Sequence, residues 1–119
     1  MTGHDYLDPA TLWDVACGDA ATFRHLTAIF CDTAPGYMAQ LHSACAQGDL
    51  GAAARACHAL LGMSMLLGAE TLSDLLGALE RQARVGEPLT ELAELEVLLT
   101  AVSDEARRNA LQYRARDPA

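Results

Sequence analysis

The stretch CHALLGMSMLLGAE, residues 57–70, decides how this chain reads. Its apolar residues recur at helical spacing, yet it holds a histidine, His58, and a glycine one turn later, Gly62. Glycine costs a helix interior about 1 kcal/mol relative to alanine, so Gly62 needs a reason. Setting Leu60 at the centre of a buried face and stepping about 100° per residue brings Ala53, Ala56, Cys57, Met63, Ser64 and Leu67 within about 60° of it. Those residues form a coherent core stripe. His58 falls about 160° away, on the side expected to face solvent. Its neighbours there are Ala54, Arg55, Gly62 and Met65, with Leu61 and Leu66 at the margins. The wheel predicts an exposed imidazole on a small, apolar surface. Gly62 clears space beside the ring so that another protein can approach. Ala54, Leu61, Met65 and Leu66 are expected to supply the docking patch.

Helical signals continue on both sides of this stretch. Asp8 suits an N-cap and Pro9 a first helical position, opening a short helix that stops at Gly18. Asp19 caps a long segment whose apolar positions are Phe23, Leu26, Ile29 and Phe30, then Tyr37, Met38, Leu41 and Cys45. Pro35 and Gly36 fall in its middle and predict a kink, not an end, because the apolar phase resumes afterwards. Gly48-Asp49 is a stop followed by a cap, and the next helix spans about Leu50 to Leu67, closed by Gly68. TLSDLLGALERQARVG, residues 71–86, turns Leu72, Leu75, Leu76, Leu79 and Ala83 inward. A last helix spans about Thr90 to Tyr113 on Leu92, Leu95, Leu98, Leu99, Val102 and Ala106, and the tail beyond it is expected to fray. No segment alternates with period two. Short loops between long helices make antiparallel neighbours. The expected fold is all-α: an antiparallel four-helix bundle with a short extra N-terminal helix. It forms one domain over residues 1–119, with its core at about 8–115.

Composition narrows the function. Hydrophobic residues make up 51% of the chain, enough for a real core, while 16 acidic residues face 8 basic ones for a net charge of -8. Every basic residue is an arginine, and they are scattered, whereas binding a phosphate backbone needs clustered lysine and arginine. Nucleic acid and anionic membrane surfaces are not expected partners. No window approaches the roughly 20 apolar residues of a spanning helix. MTGHDYLDPA lacks the basic and apolar regions of a secretion signal. Cys17, Cys31, Cys45 and Cys57 form no C-x-x-C pair and read as reduced thiols in a cytoplasmic protein. His42 and Cys45 share a helix face, but two ligands are too few for zinc, so no metal site is expected. Cys57 lies on the core side of the wheel, which argues against a Cys-His nucleophile pair. His4, His25 and His42 read as surface or structural residues, and Glu91, Glu94 and Glu96 as a solvated face.

The string ARACHALLGMSMLLGAETL, residues 54–72, resembles the histidine-containing phosphotransfer (HPt) domain of two-component phosphorelays. His58, Leu60, Gly62, Gly68, Ala69 and Leu72 fall on that family's pattern. LHSACAQGDLGAAARACH and LGALERQAR resemble the helices on either side, and the likeness runs from about residue 8 to 115. One position departs. The family usually carries lysine three residues after the histidine, where this chain has Leu61. Arg55, one turn before His58, and Arg81 or Arg84, on the next helix, are the candidates to replace that charge.

The resemblance implies that His58 accepts a phosphoryl group from an aspartyl-phosphate and passes it to another aspartate, with Gly62, Arg55 and Leu61 in support. It implies receiver domains of response regulators, and a hybrid sensor histidine kinase, as partners. The chain offers no Walker loop and no carboxylate cluster suited to Mg²⁺. By the same resemblance the receiver brings the Mg²⁺, and this domain is expected to need no cofactor of its own. Two other readings stay open. One is a non-catalytic bundle that docks a receiver or other regulator, favoured by Leu61 and its apolar neighbours. The other is a helical metal-binding bundle.

Overall fold

The structure, a computed structural model, describes residues 6–116, with side chains described through residue 112. Five helices follow one another: α1 Pro9–Val15, α2 Ala20–Ala46, α3 Leu50–Leu66, α4 Glu70–Arg84 and α5 Leu92–Arg116. Three aspartates start the first three. Asp8 accepts the Ala10 N–H at 3.1 Å, Asp19 the Thr22 N–H at 3.0 Å and Asp49 the Ala52 N–H at 3.0 Å. Each such cap is worth about 1 kcal/mol. No side chain caps α4, which begins with Glu70 in its first turn and ends with Arg81 and Arg84 in its last. That charge order suits the helix dipole. α2 runs unbroken through Pro35, which lies on its exposed side. His4 and the end of the tail, residues 117–119, lie outside the described residues.

The long helices form an antiparallel four-helix bundle. α3 packs between α4 and α2, α5 lies against α2 and more lightly against α4, and α1 crosses the end of α2 and α3. The core takes Phe23, Phe30, Met38 and Leu41 from α2, and Cys57 and Leu60 from α3. Leu72, Leu76 and Leu79 come from α4, and Leu95, Leu99, Val102 and Ala106 from α5. Ile29, expected on the buried stripe of α2, is 41% exposed. It lies about 120° round the helix from Phe23, and the buried residue on that stretch is Thr27. α4 begins one residue earlier than expected, and α5 begins two residues later and continues to Arg116.

Gly68 joins these parts. It ends α3 at φ +69°, and the following Ala69 N–H donates to the Ser64 carbonyl at 3.0 Å, which turns the chain into α4. The Gly68 carbonyl accepts the Asp8 N–H at 3.1 Å, which docks α1 on the turn. A β-carbon on Gly68 would lie 2.7 Å from the Asp8 carbonyl oxygen and 2.7 Å from Thr11 Oγ1. Nothing lies within 4 Å of the same position at Gly62. Gly68→Ala is therefore expected to destabilise the bundle by about 2 kcal/mol or more. Gly62→Ala is expected to stabilise it by up to about 1 kcal/mol. Urea unfolding of both variants checks this, and equal effects would contradict it.

Candidate functional site

The site grows out of the seam between α3 and α4. At one end the Ser64 and Ser73 hydroxyls bond at 2.7 Å, and Ser64 also donates to the Leu61 carbonyl at 2.9 Å. At the other end His58 faces Glu80. The two cross-pairs set an antiparallel register in which Leu61 stands opposite Gly77. Small residues let the helices approach here, buried Ala54 on α3 and the Ser64–Ser73 pair across the seam among them.

His58 is exposed, with 70% of its side chain accessible, whereas Glu80 is only 13% accessible. His58 Nδ1 lies 3.1 Å from Glu80 Oε2 and 3.2 Å from Oε1. Arg84 holds the same carboxylate, with Nε at 2.9 Å and Nη2 at 2.7 Å from Oε2. Burial alone would push the Glu80 carboxyl up. The hydrogen bonds from Arg84 and His58, with the charges behind them, outweigh burial and hold it below the ordinary range. An ionised carboxylate only accepts hydrogen bonds, so the contact assigns the ring proton to Nδ1. Nε2 is then left with a free lone pair. The arrangement matches a carboxylate that orients a working imidazole and steadies positive charge on it.

The ring stands on an open surface. A cavity of about 390 Å³ between α2 and α5 is lined by residues such as Cys31, Met38, His42, Glu96 and Leu99, away from His58. Beside the ring, Gly62 is exposed, Met65 is 60% exposed and Leu66 44%. These three fall where the wheel puts them. Leu61 is half-buried against the core and adds little to the surface.

Two expected site residues are placed differently. Ala54 is 1% exposed and cannot belong to a docking patch. The wheel allowed α3 one buried direction, but α4 and α2 flank it on both sides, and α4 covers Ala54. Arg55 is exposed, but its Nη1 lies 3.6 Å from the β-carbon position of Gly51, one turn toward the start of α3. Its guanidinium extends away from His58. Glu80 and its partner Arg84 complete the site, and Glu80 is the residue the sequence reading missed. Its signal was the Glu80–Arg84 spacing of four on the helix that follows the histidine.

Cys57 is fully buried behind His58, and desolvation, with Cys45 and Glu80 adding to it, pushes its thiol up to about 11. It is a neutral core thiol at pH 7. His42 Nε2 lies 3.1 Å from Glu96 Oε1 across α2 and α5. Among the described residues no group of three or more His, Cys, Asp or Glu side chains is placed to hold a metal ion. Among the same residues no helix is long and apolar enough to cross a membrane.

Residues 25–109, from α2 into α5, match the family model of the Hpt domain. The chain belongs to the Hpt domain family. The fold is similar to the crystal structure of histidine-containing phosphotransfer protein B from Pseudomonas aeruginosa PAO1, with a TM-score of 0.81 at 23% sequence identity. The match covers 92% of this chain and 97% of that one. A search of curated proteins finds no match.

In this Hpt bundle the low Glu80 carboxyl carries a pH signature. Its stabilising effect is complete above the ordinary glutamate range and is lost as pH falls through the lower folded value. The stability gap between wild type and Glu80→Gln is expected to be full at neutral pH and to close below about pH 4. Urea unfolding across pH measures it, and a gap that stays constant into acid would contradict the assignment. Nitrogen NMR of the imidazole gives a second check: Glu80→Ala is expected to lose the bias toward the Nδ1-protonated tautomer.

Proposed function

We propose that this Hpt domain relays a phosphoryl group between aspartates of receiver domains, with His58 as the acceptor. The observation that carries this reading is the exposed His58 ring, its Nδ1 tied to Glu80 and its Nε2 open to solvent. Nε2 attacks phosphorus of a receiver's aspartyl-phosphate. The new N–P bond takes the Nε2 lone pair, the P–O bond breaks, and the aspartate leaves as carboxylate with that electron pair. The proton stays on Nδ1, so the ring gains positive charge, which the Glu80 carboxylate offsets. That charge makes the ring a good leaving group, and a second receiver's aspartate reverses the step.

Phosphoryl transfer depends mainly on positioning and charge neutralisation. This domain supplies the oriented nucleophile. The receiver supplies the Mg²⁺, and phosphate enters the relay from a hybrid sensor histidine kinase in the cytoplasm. Gly62, Met65 and Leu66 form the surface on which the receiver seats, because they are open or apolar beside the ring. A bulky or charged side chain there keeps the receiver's aspartate from reaching Nε2.

The alternative is a docking bundle that binds receivers without accepting phosphate. Leu61, half-buried and uncharged one turn from His58, is the feature that favours it. Transfer from a radiolabelled phospho-receiver separates the two readings. Wild type is expected to take up label, His58→Gln to take up none, and Leu66→Asp to slow uptake at least tenfold while leaving the fold intact. Receivers that bind wild type yet never label it would establish the docking reading instead. In that case Leu61→Lys would restore uptake.

A further inference from the structure

A phosphoryl group on His58 would bring about two negative charges at neutral pH. It would sit on a ring already bonded to the Glu80 carboxylate at 3.1 Å. The phosphoryl charge on Nε2 stands across the ring from that carboxylate and like charges oppose each other, so the phosphorylated state calls for a cation within reach. Three arginines stand on this side of the bundle. Arg84 is committed, because both its Nε and its Nη2 bond Glu80. Arg55 lies over Gly51, close to the same point as Asp49 Oδ1, and points away. Arg81 is exposed and forms no ion pair or hydrogen bond among the described residues.

The path of the Arg81 side chain is informative. Its Nη1 lies 3.3 Å from the β-carbon position of Gly77, so the guanidinium rests on that glycine. A methyl group at Gly77 would crowd it. The register set by His58–Glu80 and Ser64–Ser73 puts Gly77 opposite Leu61, one turn along α3 from His58. Leu61 is apolar and half-buried, so nothing across the seam competes for the charge. Gly77 costs α4 about 1 kcal/mol of helix propensity relative to alanine. That cost keeps a lane open for the guanidinium along the seam.

We propose that Arg81 is the cation that meets a phosphoryl group on His58, reaching along the α3–α4 seam from its place over Gly77. This rests on His58 being the acceptor. Rotation between staggered wells of the Arg81 side chain carries the guanidinium toward the Nε2 side of the ring. Its paired N–H donors suit two phosphoryl oxygens. The charge missing at position 61 is thus supplied by the neighbouring helix.

The test loads His58 with phosphoramidate, a small-molecule donor that needs no receiver. Phosphorus NMR then follows the titration of the phosphoryl group in wild type, Arg81→Ala, Arg81→Lys and the double variant Arg81→Ala with Leu61→Lys. A cation beside the group favours its dianion, so removing the cation raises the titration midpoint. Arg81→Ala is expected to raise it by about half a unit to one unit. Arg81→Lys and the double variant are expected to bring it back. An unchanged midpoint in Arg81→Ala would overturn the proposal while leaving His58 as acceptor. Labelling by phosphoramidate with no transfer from any receiver would remove the relay, and the midpoint would still decide Arg81. If neither donor labels His58, the acceptor reading falls and this proposal falls with it.

Discussion

The hydrogen bond between His58 and Glu80 depends on how closely α3 and α4 approach. Small residues permit that approach: buried Ala54 and the Ser64–Ser73 pair. A larger side chain at either place would move α4 outward and take the carboxylate from the ring. The turn at Gly68 sets where α4 starts, and α1 locks that turn by contacts to Asp8 and Thr11. The orientation of one exposed imidazole therefore depends on packing that reaches the other end of the helix. This is preorganisation from rigid elements: the ring is aimed by α3, α4 and their seam, with no loop involved.

The chemistry follows from what the surface leaves out. His58 is not enclosed, so a protein carrying the reacting group can press against it. The net charge of -8 makes two arginines conspicuous, since Arg81 and Arg84 both lie in the last turn of α4, the helix that carries Glu80. One neutralises Glu80 and the other lies over a glycine. A buried, ordinary carboxylate would be a poor partner for the ring, because burial raises its proton affinity. Arg84 prevents this by holding Glu80 ionised, and the ionised form is the one that can accept the Nδ1 proton's hydrogen bond.

Much of this was legible in the chain. The three capping aspartates, the glycines that close the helices and the apolar spacing give the bundle, because caps and periodicity are local signals. The exposed His58 and the open Gly62 came from a single helical wheel. What was not legible needed two helices at once. Ala54 looked exposed because a wheel has one buried side, and α3 has a neighbour on each flank. Arg55 looked close because the wheel gives a side chain's face and not the direction in which a long side chain runs. Glu80 lies twenty-two positions from His58 in sequence, and only the register of α4 against α3 brings them together. The same register puts Gly77 opposite Leu61, which no spacing within α3 could reveal.

The most direct measurement is the position of the phosphoryl group after exchange with a phosphorylated receiver, mapped by phosphorus–proton NMR on the intact protein. The expected result is a single phosphohistidine at His58, bonded through Nε2, with Nδ1 still protonated against Glu80. Phosphate on Nδ1, on another histidine, or on no residue of a protein that nevertheless binds the receiver would contradict it.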